Sequence, residues 1–258
     1  MKTISIINLK GGVGKTISAI NIAHVLATVH NKSVLLIDND KQGNVSKFFG
    51  LHDYNKPSIA DALTGKNSLY NALHGTAYKN LMVIPSNMNL LNADREILLD
   101  VSRPQQTRLK KALTEDNHSL RYCGVAFDYC IIDNAPDINM SVINALVASH
   151  DVLVPIKVDK FAFDGLEQLS EQIDNIKEFN PSIRLCGCFI TMDTSYSVNM
   201  QGAAWLENNT DYPLFQTSIR KTCKIDETTF NGKPILEYSK NSTAAKDYIQ
   251  LVAEYLQK

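Results

Sequence analysis

Apolar residues along this chain follow two rhythms. Six short runs, TISIINL (3–9), SVLLID (33–38), LMVIP (81–85), FDYCIID (127–133), DVLVPI (151–156) and LCGCFIT (185–191), are apolar on both faces of an extended chain. Strands covered on both sides read this way. Between them, residues 15–29, 93–113, 138–149, 163–178 and 197–208 are longer and amphipathic or rich in small residues, which predicts helices. The alternation predicts an α/β fold, a doubly wound, mostly parallel sheet with helices on both faces. Residues 50–80, with scattered Gly, Asn and Pro, predict loops and short helices over the carboxyl edge of the sheet. No linker, repeat or low-complexity stretch intervenes, so residues 1–258 read as one domain. The closing stretch STAAKDYIQLVAEYLQK sets Ala244, Tyr248, Val252 and Tyr255 on one stripe with few cations, predicting a helix packed on the core.

Composition narrows the setting. At 258 residues and 44% hydrophobic content, the chain can bury a large core. Its net charge of −1 excludes a general attraction to nucleic acid or anionic membrane, so any such binding must come from a local patch. Cys123, Cys130, Cys186, Cys188 and Cys223 form no C-x-x-C pair and read as reduced core thiols rather than a metal or cluster site. There is no signal-peptide layout and no apolar run of membrane-spanning length, which predicts a soluble intracellular protein.

Candidate chemistry gathers at the carboxyl ends of three predicted strands, where an open α/β sheet binds its ligands. The first is NLKGGVGKT (8–16), close to the phosphate-loop pattern G-x-x-x-x-G-K-[ST]. Leu9 stands where that pattern wants its first glycine, and Lys10 adds a second lysine. Gly11, Gly12 and Gly14 let backbone N–H groups close around phosphate oxygens, and the helix beginning near Lys15 adds its positive end. Lys15 can reach the β and γ phosphates, and the Thr16 hydroxyl can ligate Mg²⁺. The second is LLIDNDKQGN (35–44), where Asp38 and Asp40 lie two residues apart on an extended segment and can face one metal-and-water site. The third is YCIIDNAPD (129–137), a buried strand ending in Asp133, an acid placed to hold the Mg²⁺ shell.

The order K-G-G-x-G-K-[ST], then D-x-D-x-Q-G-N, then apolar-apolar-D-x-x-P resembles the deviant Walker ATPases and, within them, the ParA/Soj chromosome and plasmid partition proteins. VLVPIKVDKFAFDGLEQL (152–169) and KIDETTFNGKPILEYSKNSTAAKDYIQLVAEYL (224–256) extend the likeness to essentially the whole chain. The resemblance implies a P-loop ATPase that binds ATP and Mg²⁺ and hydrolyses ATP slowly until a ParB-type partner stimulates it. It implies that Lys10 reaches the phosphates of a partner's ATP, so that two nucleotides lie between two subunits of a homodimer. Nucleotide contacts would come from Lys10, Gly11, Gly12, Val13, Gly14, Lys15, Thr16 and Ile17. Lys10, Lys15 and Asp40 would be catalytic, with Asp40 positioning the attacking water, and Thr16, Asp38 and Asp133 would serve the metal. Non-specific double-stranded DNA binding by the ATP dimer would use Arg220, Lys221 and Lys224, in a stretch also carrying Lys233, Lys240 and Lys246. The location implied is cytoplasmic and nucleoid-associated, with no membrane partner.

Several positions depart from the family pattern. Lys41 replaces the usual Pro beside the two acids, Ile17 replaces a Thr or Ser, and SIRKTCK (218–224) stands for I-P-R-x-x-R. TMDTSYS (191–197) has Tyr196 near a position where relatives often carry arginine. The loop begins on the first predicted strand with no helix-turn-helix ahead of it, so operator binding is not expected of this chain. A MinD-like membrane-cycling ATPase would share Lys10, Lys15, Asp38 and Asp40 but needs a basic amphipathic C-terminal helix. An iron–sulfur carrier of the same superfamily would need paired cysteines after the acid-ending strands. A nucleotide-binding scaffold with weak hydrolysis fits Lys41 and Ile17.

Overall fold

The computed structural model describes residues 1–114, 120–159, 164–194, 202, 204 and 212–258. Its centre is a seven-stranded sheet in the order β3-β4-β2-β7-β1-β8-β9. The strands are β1 (Lys2–Ile6), β2 (Val34–Asn39), β3 (His74–Gly75), β4 (Leu81–Ile84), β7 (Tyr129–Asn134), β8 (Asp151–Lys157) and β9 (Arg184–Thr191). All neighbours pair parallel except β3, which runs antiparallel to β4 at the edge. The registers Ile6↔Asp133 and Asp38↔Asp133 bring β1, β2 and β7 to a common carboxyl edge.

Alternate residues of one strand feed opposite layers, which is why the strands read as apolar throughout. Val34 and Leu36 join the layer of α1 (Lys15–Thr28) and the C-terminal helices, whereas Leu35 and Ile37 join the layer on the other face. That second layer contains α3 (Ile59–Thr64), α4 (Asn89–Leu99), α5 (Arg108–Ala112) and α6 (Met140–Ala148). A third cluster packs β8 against α6 and α7 (Asp164–Ile176). Every residue of α1 from Ser18 to Ala27 is buried, the polar Ser18, Asn21 and His24 among them.

At the C-terminus follow α8 (Cys223–Asn231), α9 (Ile235–Tyr238) and α10 (Thr243–Tyr255). The stripe of Ala244, Tyr248, Val252 and Tyr255 is buried as the sequence predicts, and the Tyr248 hydroxyl meets Ser18 Oγ of α1 at 3.1 Å. Among the described residues no helix is long and apolar enough to cross a membrane.

Three expectations are revised, and a short hairpin not expected from the sequence is added. The helix over 93–113 starts earlier and is two helices, because Pro104 has no N–H to donate and disfavours helical backbone before it. Asp100 ends α4 in extended backbone and takes the guanidinium groups of Arg103 and Arg108 across the break. Within 50–80, Ser58 and Asp61 form a capping box that starts α3, a 3₁₀ turn follows at Leu69–Ala72, and β3 adds an unexpected edge strand. The hairpin of β5 (Arg121–Tyr122) and β6 (Val125–Ala126) turns at Cys123 and Gly124, both with positive φ, as a two-residue hairpin turn requires. Three cysteines, Cys130, Cys186 and Cys188, are core thiols, whereas Cys123 and Cys223 are exposed. The helix over 197–208 lies outside the described residues except at Gly202 and Ala204, and Tyr196 also lies outside them.

Candidate nucleotide-binding site

The loop between β1 and α1 is held at both ends by distant strands. Asn8 Nδ2 donates to the Pro155 carbonyl at 2.9 Å, and Asn8 Oδ1 accepts the Lys10 N–H at 2.8 Å. At the far end the Thr191 hydroxyl donates to the Val13 carbonyl at 2.8 Å. Gly12 and Gly14 have φ of 72° and 85°, so side chains there would strain the turn. A Cβ added at Gly11 or Gly12 would meet nothing within 4 Å, leaving their face of the loop open. Leu9, in place of the expected glycine, packs on the β8–α7 cluster, and Ile17 packs on the α1 layer. Both departures from the pattern therefore serve packing.

The two lysines behave differently. Lys15 is buried, and its Nζ folds back to the Lys10 carbonyl at 2.9 Å. Burial lowers its pKa, while Asp133, Asp40 and Asp137 work against that fall. Lys10 is partly exposed and its Nζ forms an ion pair with Asp159, just beyond β8.

The three acids are also distinguished by their partners. Asp133 is buried, and neither of its oxygens has a donor in full hydrogen-bond geometry. Burial, then the charges of Asp38 and Asp40, push its pKa well above the ordinary carboxylate range, against Thr16 and Lys15. Asp38 is fully buried, yet Oδ2 accepts the Ser46 N–H at 2.8 Å and the Ser46 hydroxyl at 2.6 Å, and Oδ1 accepts the Asp40 N–H at 3.3 Å. Burial still raises its pKa to about 6. Asp40 accepts one hydrogen bond on its side chain, from the Gln42 N–H to Oδ1 at 2.9 Å. Lys41 pairs with Asp137 at 3.3 Å, a contact that the usual proline could not make. The structure thus brings Lys15, Thr16, Asp38, Asp40 and Asp133 into one electrostatic neighbourhood, with Asp38 also bonded to its own loop.

A family model described as an AAA domain matches residues 1–185. Sporulation initiation inhibitor protein Soj of Bacillus subtilis is 32% identical over 256 residues, covering 98% of this chain and 97% of Soj. Chromosome partitioning protein ParA of Myxococcus xanthus is 32% identical, covering 100% of this chain and 88% of that protein. This chain belongs to the ParA/Soj family of ATPases. Among solved structures, cobyrinic acid a,c-diamide synthase from Mycobacterium smegmatis with bound ATP analogue and magnesium superposes with a TM-score of 0.82. It is 26% identical, and the match covers 100% of this chain and 95% of the synthase.

In this ParA/Soj-family chain the C-terminal cations divide into paired and unpaired. Arg220 Nε contacts both oxygens of Asp247, at 3.1 and 3.0 Å, and its guanidinium is thereby anchored to α10. Lys224 pairs with Glu227 at 2.8 Å, and Glu227 also accepts the Tyr238 hydroxyl at 2.6 Å. Lys221, Lys233, Lys240 and Lys246 are exposed and form no ion pair among the described residues. The residues that sequence reasoning missed are Asn8, Thr191, Ser46 and Ser86. Only Ser46 carried a local signal, two residues into a turn of helix that follows Gly43 in left-handed backbone.

Proposed function

We propose that this protein is a partition ATPase that pairs around ATP and holds DNA in the paired state. The observation that carries the reading is the glycine cradle opening beside Lys15 and the two unpartnered oxygens of Asp133. A buried acid without donors is costly unless a cation joins it, and open space at Gly11 and Gly12 suits phosphate oxygens approaching the backbone. These residues fit ATP with Mg²⁺. N–H groups of the 11–16 turn and the Lys15 ammonium would hold the phosphates, and Thr16 with Asp133 would hold the metal shell. When bound, Mg²⁺ supplies neutralisation of the charge that develops on the phosphates.

Asp40, tethered through one oxygen, orients the attacking water. Lys10 leaves Asp159 and neutralises the triphosphate of a second copy, so pairing depends on the nucleotide. Lys41, tied to Asp137, draws its cation away from the Asp38–Asp40 loop and leaves Asp40 free for water. Asp38 serves the metal indirectly, by shaping the loop. Hydrolysis that rests on positioning alone is slow, which leaves room for stimulation by a ParB-type partner and for use as a timer in the cytoplasm. Exposed Lys221, Lys233, Lys240 and Lys246 form the DNA-facing set, doubled by pairing, while Arg220 stiffens the segment that bears them. The C-terminal helix spends its apolar stripe on α1, which speaks against the MinD-like alternative.

The test mixes the protein with a non-hydrolysable ATP analogue and plain duplex DNA, with and without Lys10→Ala. Nucleotide-dependent dimers that retain DNA are expected for the parent, and neither for the variant. Monomers throughout, or equal DNA retention by both proteins, would overturn the reading.

A further inference from the structure

Ser46 is wholly buried at the start of α2 (Asn44–Phe48), eight residues beyond Asp38. Its hydroxyl sits between two elements. The Ser86 N–H, in the connection from β4 to α4, donates to Ser46 Oγ at 2.7 Å. An amide can only donate there, so the serine's own proton is directed to Asp38 Oδ2, 2.6 Å away. Asp38 then holds the Asp40 N–H, and the Asp40 carbonyl accepts the Gly43 N–H at 2.9 Å to close the turn. The fit leaves no slack, since a Cβ at Gly43 would come within 2.7 Å of the Ser86 carbonyl.

Capping the short helix α2 needs only the Ser46 amide, which already donates to Asp38. The hydroxyl adds something else, a bridge from β4 to the loop that carries Asp40. We infer that Ser46 is a positioning residue for ATP hydrolysis, fixing Asp38 and through it the backbone of Asp40 against the β4–α4 connection. The charge-assisted bond at 2.6 Å is of the strong kind, and a reacting group gains most from supports that are themselves locked. Ser46 acts only through Asp38 and touches no phosphate-loop residue in its hydrogen bonds. Its effect should therefore fall on turnover rather than on nucleotide binding. This role rests on the ATPase reading above.

Steady-state ATP hydrolysis by the parent, Ser46→Ala, Ser46→Cys and Ser46→Thr provides the test. Each protein is first checked for a cooperative unfolding transition. Cys keeps the shape but is a weak donor, and it carries the test if Ala does not fold; Thr keeps the hydroxyl. We expect kcat to fall roughly tenfold or more in the Ala and Cys variants, with KM for ATP within about twofold. The Thr variant should stay within about threefold of the parent in kcat. Turnover in the Ala and Cys variants equal to the parent's would overturn the role, and so would a Thr variant that unfolds at the same urea concentration as the parent, so that its added methyl is accommodated, yet is as slow as the Ala one. A parent that binds ATP without any turnover would instead remove the ATPase reading, and the role with it.

Discussion

At the amino end of β8 the buried Asp151 takes donors from three sides, Lys2 Nζ at 3.0 Å, Arg184 Nε at 2.7 Å and the Tyr255 hydroxyl at 2.8 Å. At the carboxyl end of β7 the equally buried Asp133 has none in full geometry. Burial pushes both pKa values upward. For Asp151 the bonds from Arg184, Tyr255 and Lys2 outweigh it and the pKa ends below the ordinary value; for Asp133 the charges of Asp38 and Asp40 add to it. The same residue type, closed off from solvent in both places, thus sits in two opposite settings. The acid with its partners built in contributes to stability, and the acid without them is the one to which the proposed function assigns a cation.

The largest expected effect tests the amino end. Asp151→Ala would leave two cations and a buried tyrosine hydroxyl uncompensated. A loss near about 3 kcal/mol is expected, the low end for breaking a buried pair, because Lys2 and Arg184 are partly exposed. Urea unfolding measures it, and nucleotide affinity of the folded fraction should not change. At the other end, Asp133→Asn should leave stability nearly unchanged, because a carboxyl whose pKa is held well above the ordinary range gives up little buried charge when it is replaced, while turnover falls roughly 100-fold. If Asp133→Asn instead unfolded the protein with residual activity intact, the contrast between the two ends would be wrong.

His24, in α1, is a buried titratable group that belongs to neither end. It is 3% exposed with Nδ1 unpartnered against the edge of Tyr78, and burial lowers its pKa to about 4. The unfolded chain, with an ordinary histidine near 6.5, binds more protons than the folded one between about pH 6.5 and 4. Stability should therefore fall with pH across that window, by about 2 kcal/mol between pH 7 and pH 5 from this group alone. His24→Leu should flatten that part of the profile in urea titrations at the two pH values. An unchanged slope would mean that His24 finds a partner when protonated.

How much of this was legible in the sequence follows the range of the interaction. The phosphate loop, the six core strands and the C-terminal helix were readable because glycine spacing and apolar periodicity are local properties. Pro104 was visible too, but the helical rhythm on either side of it ran on and masked the break. The short edge strand β3 has only two residues and too little pattern to register. What could not be read is the pairing. That Ser46, itself held by the Ser86 N–H, bonds Asp38, and that Asp247, 27 residues away, pairs with Arg220, are contacts made only in the fold. Asp151 and Asp133 are indistinguishable as acids beginning or ending an apolar strand until Arg184 and Tyr255 are seen to arrive at one and not at the other.

The smallest effects give the sharpest version of the contrast, because one hydroxyl can be removed from each end without changing shape much. Tyr255→Phe deletes the donor to Asp151, which keeps Lys2 and Arg184. About 1 kcal/mol of stability should go, with nucleotide affinity unchanged. Thr191→Val deletes the donor to the Val13 carbonyl and keeps the branched shape beside Gly14. Val13 and Thr191 are both buried, so no solvent replaces the lost donor and stability should also fall by about 1 kcal/mol. The freed loop must then be ordered by the nucleotide itself, which should weaken binding about threefold to fivefold. Calorimetric titration with an ATP analogue beside urea unfolding reads both quantities for both variants. A division of labour between the ends requires that only Thr191→Val weaken the nucleotide; if Tyr255→Phe weakens it as much, the strands transmit strain along their length and the ends are not independent.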